Sequence, residues 1–329
     1  MSRCFGFRRA LYVLLGLTLP VVVTAQAQKP AVPKTAAKAP AKPRTADGKP
    51  DLQGTWDFAQ LTPFERPSTF AGKSSFASDD EAEEFAQQRI DNNNKDRRDG
   101  GAAADVERAY NDFWWDFGKR VAKQTSLVVD PPDGRVPPLT EAAQARFAAN
   151  RGGQRYDNVE ERPLAERCIL GFNSGPPMIP SAYNNNMQLV QTRDYVMIHN
   201  EMIHSARVVD LRRPSHLASN VRLLTGDSIG HWEGDTLIVD TTNFQKEGAF
   251  RGATTNMHLI ERFSLDDANT LRYQFTVEDL ATWTKPWTAS IPMARTDDQM
   301  FEYACHEANY GLENVLKGGR YRDQAGSTK

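Results

Sequence analysis

The stretch YVMIHNEMIHSARVVDL, residues 195–211, decides the fold class. It carries two histidines and a glutamate within six residues, His199 to His204, as a zinc-protease helix does. Helix and strand readings have opposite consequences. The protease signature places its histidines four apart on a helix, about 40° from alignment, whereas a spacing of five leaves them about 140° apart. The β-branched and aromatic neighbours favour a strand, on which odd spacing sends His199 and His204 to opposite faces. The stretch therefore reads as a strand without a local metal site.

From Met187 onward, similar runs alternate with polar turns: MQLVQT, VRLL, IGHW, TLIVDTTNF, MHLIERFSL, LRYQFTVED, WTASIPMAR and FEYACHE. No helical pattern intervenes, which predicts a mainly β protein built as an antiparallel meander. Such a meander protects its edges by closing into a barrel or packing as a sandwich. Ahead of it, DLQGTWDF predicts a short first strand. Ser78 and Glu81 stand in capping-box spacing at the start of a helix. DVERAYNDFWWDFGKRV spaces Tyr110, Phe113, Trp114 and Phe117 as a core-facing helical stripe, with Trp114 and Trp115 as packing residues. LVVDPPDGRVPPL reads as a hairpin and LTEAAQARFAAN as a short helix. The expected organisation is a single β-rich domain over 51–315, a helical insertion over about 78–150, and a C-terminal tail over 316–329.

The leading residues have another character. Arg3, Arg8 and Arg9, an apolar run and Ala25-Gln26-Ala27 make residues 1–27 a cleaved signal peptide, so the expected location is periplasmic or secreted. Residues 28–50 are Ala/Pro/Lys-rich and read as a flexible linker. Residues 1–50 hold nine of the 40 basic and one of the 42 acidic residues; the remainder has 31 and 41 and is strongly acidic. That excludes a nucleic-acid binder, which needs a positive footprint. No later stretch is long and apolar enough to span a membrane. Cys168 and Cys305 remain after cleavage, and two cysteines in an exported chain are expected to pair. The long loop so closed would contribute about 5 kcal/mol on a chain-entropy account. The alternative is two buried thiols.

Two resemblances follow. Gly54-Thr55-Trp56 resembles the Gly-x-Trp signature of lipocalins and other calycins. That implies a barrel whose floor is closed by Trp56 against an arginine of the final strand, for which Arg295 is the candidate. GHWEGDTLIVDTTNF (230–244), with HLIERFS, EDLATWTKPWT, YACHEANYG and ERCILGFNSGPPMIPSAYNNN, resembles a widespread family of exported bacterial proteins of unknown function. It implies no mechanism.

Strand alternation nominates a site. His204 interrupts the face Val196, Ile198, Asn200, Met202, Ala206, Val208; Glu261 interrupts Leu259, Phe263, Leu265; Asp240 lies with Ile238, Thr242 and Phe244. Ionisable groups on apolar faces must be paired or have shifted pKa values. The expected function is a cofactor-free acid/base enzyme: lyase, isomerase or hydrolase. His204 would be its acid or base, Glu261 or Asp240 its orienting carboxylate, and Arg207 or Arg262 would stabilise developing negative charge. His258 and Arg262 fall on the opposite face from Glu261. Tyr273, Phe275, Trp283 and Trp287, with His258, suit a pocket for a small apolar or aromatic ligand. The aromatic residues suit an ordinary core equally. The alternatives are a non-catalytic lipocalin-like binding protein and a metal site from His204, His258 and Glu261. Asn184 to Asn186 and the Ser174–Pro177 loop could rim a pocket mouth.

Overall fold

A computed structural model describes residues 42–326 apart from 98, 108–110, 151–155 and 308. The expected signal peptide, most of the linker and Tyr110 lie outside the described residues. No helix among the described residues is long and apolar enough to cross a membrane.

Ten strands form: β1 (Gly54–Asp57), β2 (Val128–Asp130), β3 (Asn186–Gln191), β4 (Tyr195–Asn200), β5 (Ala206–Asp210), β6 (Asp227–Glu233), β7 (Thr236–Thr242), β8 (His258–Asp267), β9 (Thr270–Glu278) and β10 (Trp287–Thr296). Nine of them close a barrel in the order β1, β3 to β10 and back to β1, and β2 is appended to β10. The meander is antiparallel except at β5 and β6, which meet in parallel through Asp210 and Ile229. A parallel step needs a long crossover, and residues 211–226 supply it.

The floor is built as Gly-x-Trp implies. Trp56 on β1 pairs with Arg295 on β10, whose guanidinium lies 4.3 Å from the indole centroid. Arg295 also donates to the carbonyls of Gln53 (2.8 Å) and Ala268 (3.1 Å). Gly54 has φ +126°, and a Cβ there would stand 2.4 Å from Arg295 Nη1. Only glycine allows the arginine to close the ring of strands.

Inside, period-two alternation fills the barrel. Leu259, Phe263 and Leu265 of β8 face Leu271, Phe275 and Val277 of β9, all buried. Burial of each large apolar side chain contributes about 1.5–3 kcal/mol. Tyr273, Phe275, Trp283 and Trp287 are 0–3% exposed, and their rings pack on one another at 5.6–5.7 Å. Phe64 and Phe250 complete this aromatic stack. The four residues proposed from sequence as a ligand pocket pack as core.

The helices are α1 (Asp79–Asn93), α2 (Gly101–Glu107), α3 (Glu141–Asn150) and α4 (Tyr310–Gly326). Ser78 Oγ accepts the Glu81 N–H at 3.2 Å, while the Glu81 carboxylate turns back to the Ala77 N–H at 2.6 Å. The long aromatic helix expected after residue 105 does not form: α2 ends at Glu107 and only a 3-10 turn covers 112–114. Phe113 and Trp114 are 85% and 62% exposed, so they are not a core stripe. FEYACHE is not a strand, and residues 316–326 of the segment read as a tail belong to α4. LVVDPPDG pairs through β2 with β10, not with itself. Cys168 and Cys305 are disulfide-bonded, with Cα atoms 5.6 Å apart.

Candidate functional site

The opening stretch is two strands, not one. β4 and β5 form a hairpin whose turn, Glu201–Ser205, holds Ile203 and His204 at positive φ. This break resets the alternation. Val196, Ile198 and Asn200 point inward on β4, whereas Arg207 and Val209 do so on β5. His204 is exposed on the turn, and Ala206 and Val208 face out. The expected His204–Glu261 pair therefore does not exist.

Glu261 points inward as its alternation requires, is fully buried, and meets Arg207. Arg207 Nη1 and Nη2 donate to the two carboxylate oxygens at 2.5 and 2.8 Å, a bidentate pair. The Tyr273 hydroxyl donates to the same carboxylate at 2.7 Å and accepts the Met178 N–H at 3.1 Å. Ser228 and Thr241 lie 3.3 Å from Arg207 Nη1. Burial by itself would lower the Arg207 pKa, but the Glu261 charge raises it above its ordinary value. Burial first, and then the neighbouring carboxylate, hold the Tyr273 hydroxyl well above its ordinary value. The carboxylate and the phenol are thus both engaged, and Met178, which reaches Tyr273, is buried with Pro176 and Pro177.

Asp240 is the correction on β7. Leu237, Val239 and Thr241 face the core, so Asp240 faces out and stands half-buried on the sheet exterior. There it meets His258 of β8, whose outward position alternation predicts. Asp240 Oδ1 lies 2.9 Å from His258 Nε2 and 3.0 Å from His216 Nε2, and His216 was not anticipated. The other ring nitrogens contact carboxylates too, His258 Nδ1 with Glu278 (3.0 Å) and His216 Nδ1 with Asp227 (3.1 Å). Arg213 pairs with Asp227 at 2.6 Å. The Asp240 hydrogen bond, strengthened by its charge, raises the His258 pKa against desolvation. Burial would raise the pKa of Asp240 and of Asp227, but their cationic partners bring both below the ordinary carboxylate range. Arg262 faces out beside Ile238 and Gln274, away from Glu261. His204, His258 and Glu261 thus occupy a turn, the barrel exterior and the barrel interior, and cannot share a metal.

A third group is an open cleft of about 410 Å³ walled by Trp114, Trp115, Tyr183 and Tyr303, with Asn184 at its edge. Trp115 stacks on Phe117 at 5.3 Å, Tyr183 and Tyr303 lie nearly parallel at 6.4 Å, and Phe172 meets Tyr183 edge-on at 5.5 Å. Lys95 Nζ stands 4.8 Å from the Trp115 centroid. Three distant segments form these walls, and polar side chains fix them. The buried Asn185 amide donates to the carbonyls of Asp116 and Ser181 and accepts from Ser181 N–H. Asn173 donates to the carbonyls of Tyr183 and Asn184. Glu201 accepts from Asn186 and from the Phe301 N–H, and the disulfide anchors the segment that carries Tyr303. Of the asparagine run only Asn184 lines the cleft, and the tryptophans that complete it are not the packing residues their spacing suggests.

No protein-family model and no curated protein matches the chain. Among solved structures, a point mutant of the fluorescent protein UnaG is similar at 12% identity over 34% of this chain and 72% of that one, with a TM-score of 0.22. A likeness of that size carries no argument about this protein.

Proposed function

We propose that this is an exported small-molecule-binding protein whose ligand is a flat aromatic or conjugated apolar compound held in the Trp114/Trp115/Tyr183/Tyr303 cleft. The observation that carries the reading is four aromatic side chains set around one open space of ligand size. Ligand sites are typically about 300–1,000 Å³, mostly apolar, with a few placed polar groups. Here the polar groups are the two tyrosine hydroxyls and Asn184. Lys95 above Trp115 disfavours a cationic guest, so the ligand class is neutral or anionic. Export is supported by the leader and by the disulfide, and membership of the exported bacterial family by the Trp-Glu-Gly-Asp-Thr-Leu block.

The test uses the neutral fluorescent probe N-phenyl-1-naphthylamine. The wild-type protein is expected to bind it saturably, and Trp114→Ala to weaken binding by about two- to twelvefold, the loss of one aromatic contact of about 0.5–1.5 kcal/mol. Trp114 is mostly exposed, so the variant should fold. Equal affinity in the two proteins removes the cleft from the account.

One observation favours a second reading, a guest inside the barrel: Trp287 Nε1 is buried without an acceptor among the described residues. An enzyme reading would rest on the outer Asp240–His258–His216 group, where every imidazole nitrogen already faces a carboxylate.

A further inference from the structure

Arg66 is the buried charge that the preceding groups leave unexplained. It is 5% exposed, yet no carboxylate among the described residues forms an ion pair with it. Its Nε donates to Thr125 Oγ1 at 3.1 Å and its Nη1 to the Pro132 carbonyl at 2.7 Å. Both acceptors are neutral. Gly134, at φ +72°, passes directly over the guanidinium, where a Cβ would lie 2.8 Å from Cζ and Nη2. The group is therefore clamped on one edge and one face. Arg66 also lines a cleft of about 440 Å³ shared with Arg135, Ser74, Gly72 and Asp133. Asp133 is the carboxylate of the cleft, and it is turned to the Arg135 N–H at 3.1 Å.

A buried guanidinium without a counter-charge is costly unless something supplies one. Most buried cations in proteins are met by an acid of the same chain, as Arg207 is by Glu261. Arg66 is rigid, positive, and held open to a cleft that carries a second arginine. We propose that this cleft is a binding site for an oxyanion, the carboxylate or phosphate group of a small molecule. Arg66 is its fixed inner donor, Arg135 the outer charge, and the Ser74 hydroxyl a further donor. Guanidinium donors suit such oxygens in geometry as well as in charge. The site is independent of the aromatic cleft and stands if that reading fails.

The experiment follows the side-chain Nε–Hε NMR signal of Arg66 while phosphate or acetate is exchanged for chloride at constant ionic strength. The signal is expected to move saturably, in the millimolar range, with one or both oxyanions. The preferred probe tells a phosphoryl group from a carboxylate. Arg135→Ala should weaken that binding by about fivefold or more, as loss of one charge-assisted contact predicts, and Arg135→Lys should restore most of it. Because Arg135 is exposed, both variants are expected to fold where Arg66→Met would not. No response beyond that to chloride overturns the proposal. A saturable response that Arg135→Ala leaves unchanged overturns the placement of the site.

Discussion

The two ionic groups of the barrel wall use similar side chains in opposite ways. Arg207, Glu261 and Tyr273 lie inside, buried and hydrogen-bonded to one another; Asp240, His258 and His216 lie outside, half-buried, with each histidine between two carboxylates. Arg207 and Tyr273 both have raised pKa values, so neither changes charge across the physiological range. His258 is placed where a proton can come and go. A barrel wall can thus hold a permanent charge on one face and a titratable one on the other, only a residue apart: Glu261 pairs in register with Val239, next to Asp240.

The largest expected effect comes from breaking the inner pair. Glu261→Gln leaves Arg207 buried without its counter-ion, and should cost about 3–5 kcal/mol in urea unfolding. Replacing both charges, as Arg207→Met with Glu261→Leu, should recover most of that loss, since a buried pair and an apolar isostere are often nearly equal in stability. A Glu261→Gln cost below about 1 kcal/mol would place the pair in contact with water.

The outer group should respond less to mutation and more to pH. Asp240→Asn removes the shared carboxylate of two partly exposed histidines, and should cost about 1 kcal/mol. The signs are set by the shifts. The folded pKa of His258 is raised, so its contribution is complete below about pH 6.5 and is lost as pH rises through the raised value. The folded pKa values of Asp240 and Asp227 are lowered, so theirs is present above about pH 3.9 and is lost as pH falls through the lowered values. The part of stability that Asp240→Asn abolishes should therefore peak between about pH 4 and 6.5. A difference between wild type and variant that stays constant from about pH 2 to about pH 9 would mean that Asp240 and His258 do not titrate together.

The same comparison explains what the sequence disclosed. Glu261 and His258 were legible because β8 runs ten residues without a break, so alternation assigns each face. Trp56 and Arg295 were legible because Gly-x-Trp is a local pattern with one long-range partner. Arg207 was assigned to the wrong face because the alternation was carried across a turn that puts Ile203 and His204 at positive φ, a conformation β-branched residues avoid and nothing local announces. Asp240 was placed with its true face-mates Ile238 and Thr242, but Phe244 lies in the core beyond Asn243 at positive φ, and which face looks inward depends on neighbouring strands. His216 was missed because it sits in the crossover between β5 and β6, where no periodicity exists. Trp114 and Trp115 were lost to a helical spacing that the chain does not use.

The most direct test of the binding reading compares the cleft with the barrel interior in one experiment. The six tryptophans, Trp56, Trp114, Trp115, Trp232, Trp283 and Trp287, can each be labelled as 5-fluorotryptophan and followed by fluorine NMR during titration with N-phenyl-1-naphthylamine. The account predicts that the Trp114 and Trp115 signals shift saturably while Trp283 and Trp287 stay fixed. Movement of Trp283 and Trp287 with Trp114 and Trp115 unchanged would contradict it and put the ligand inside the barrel.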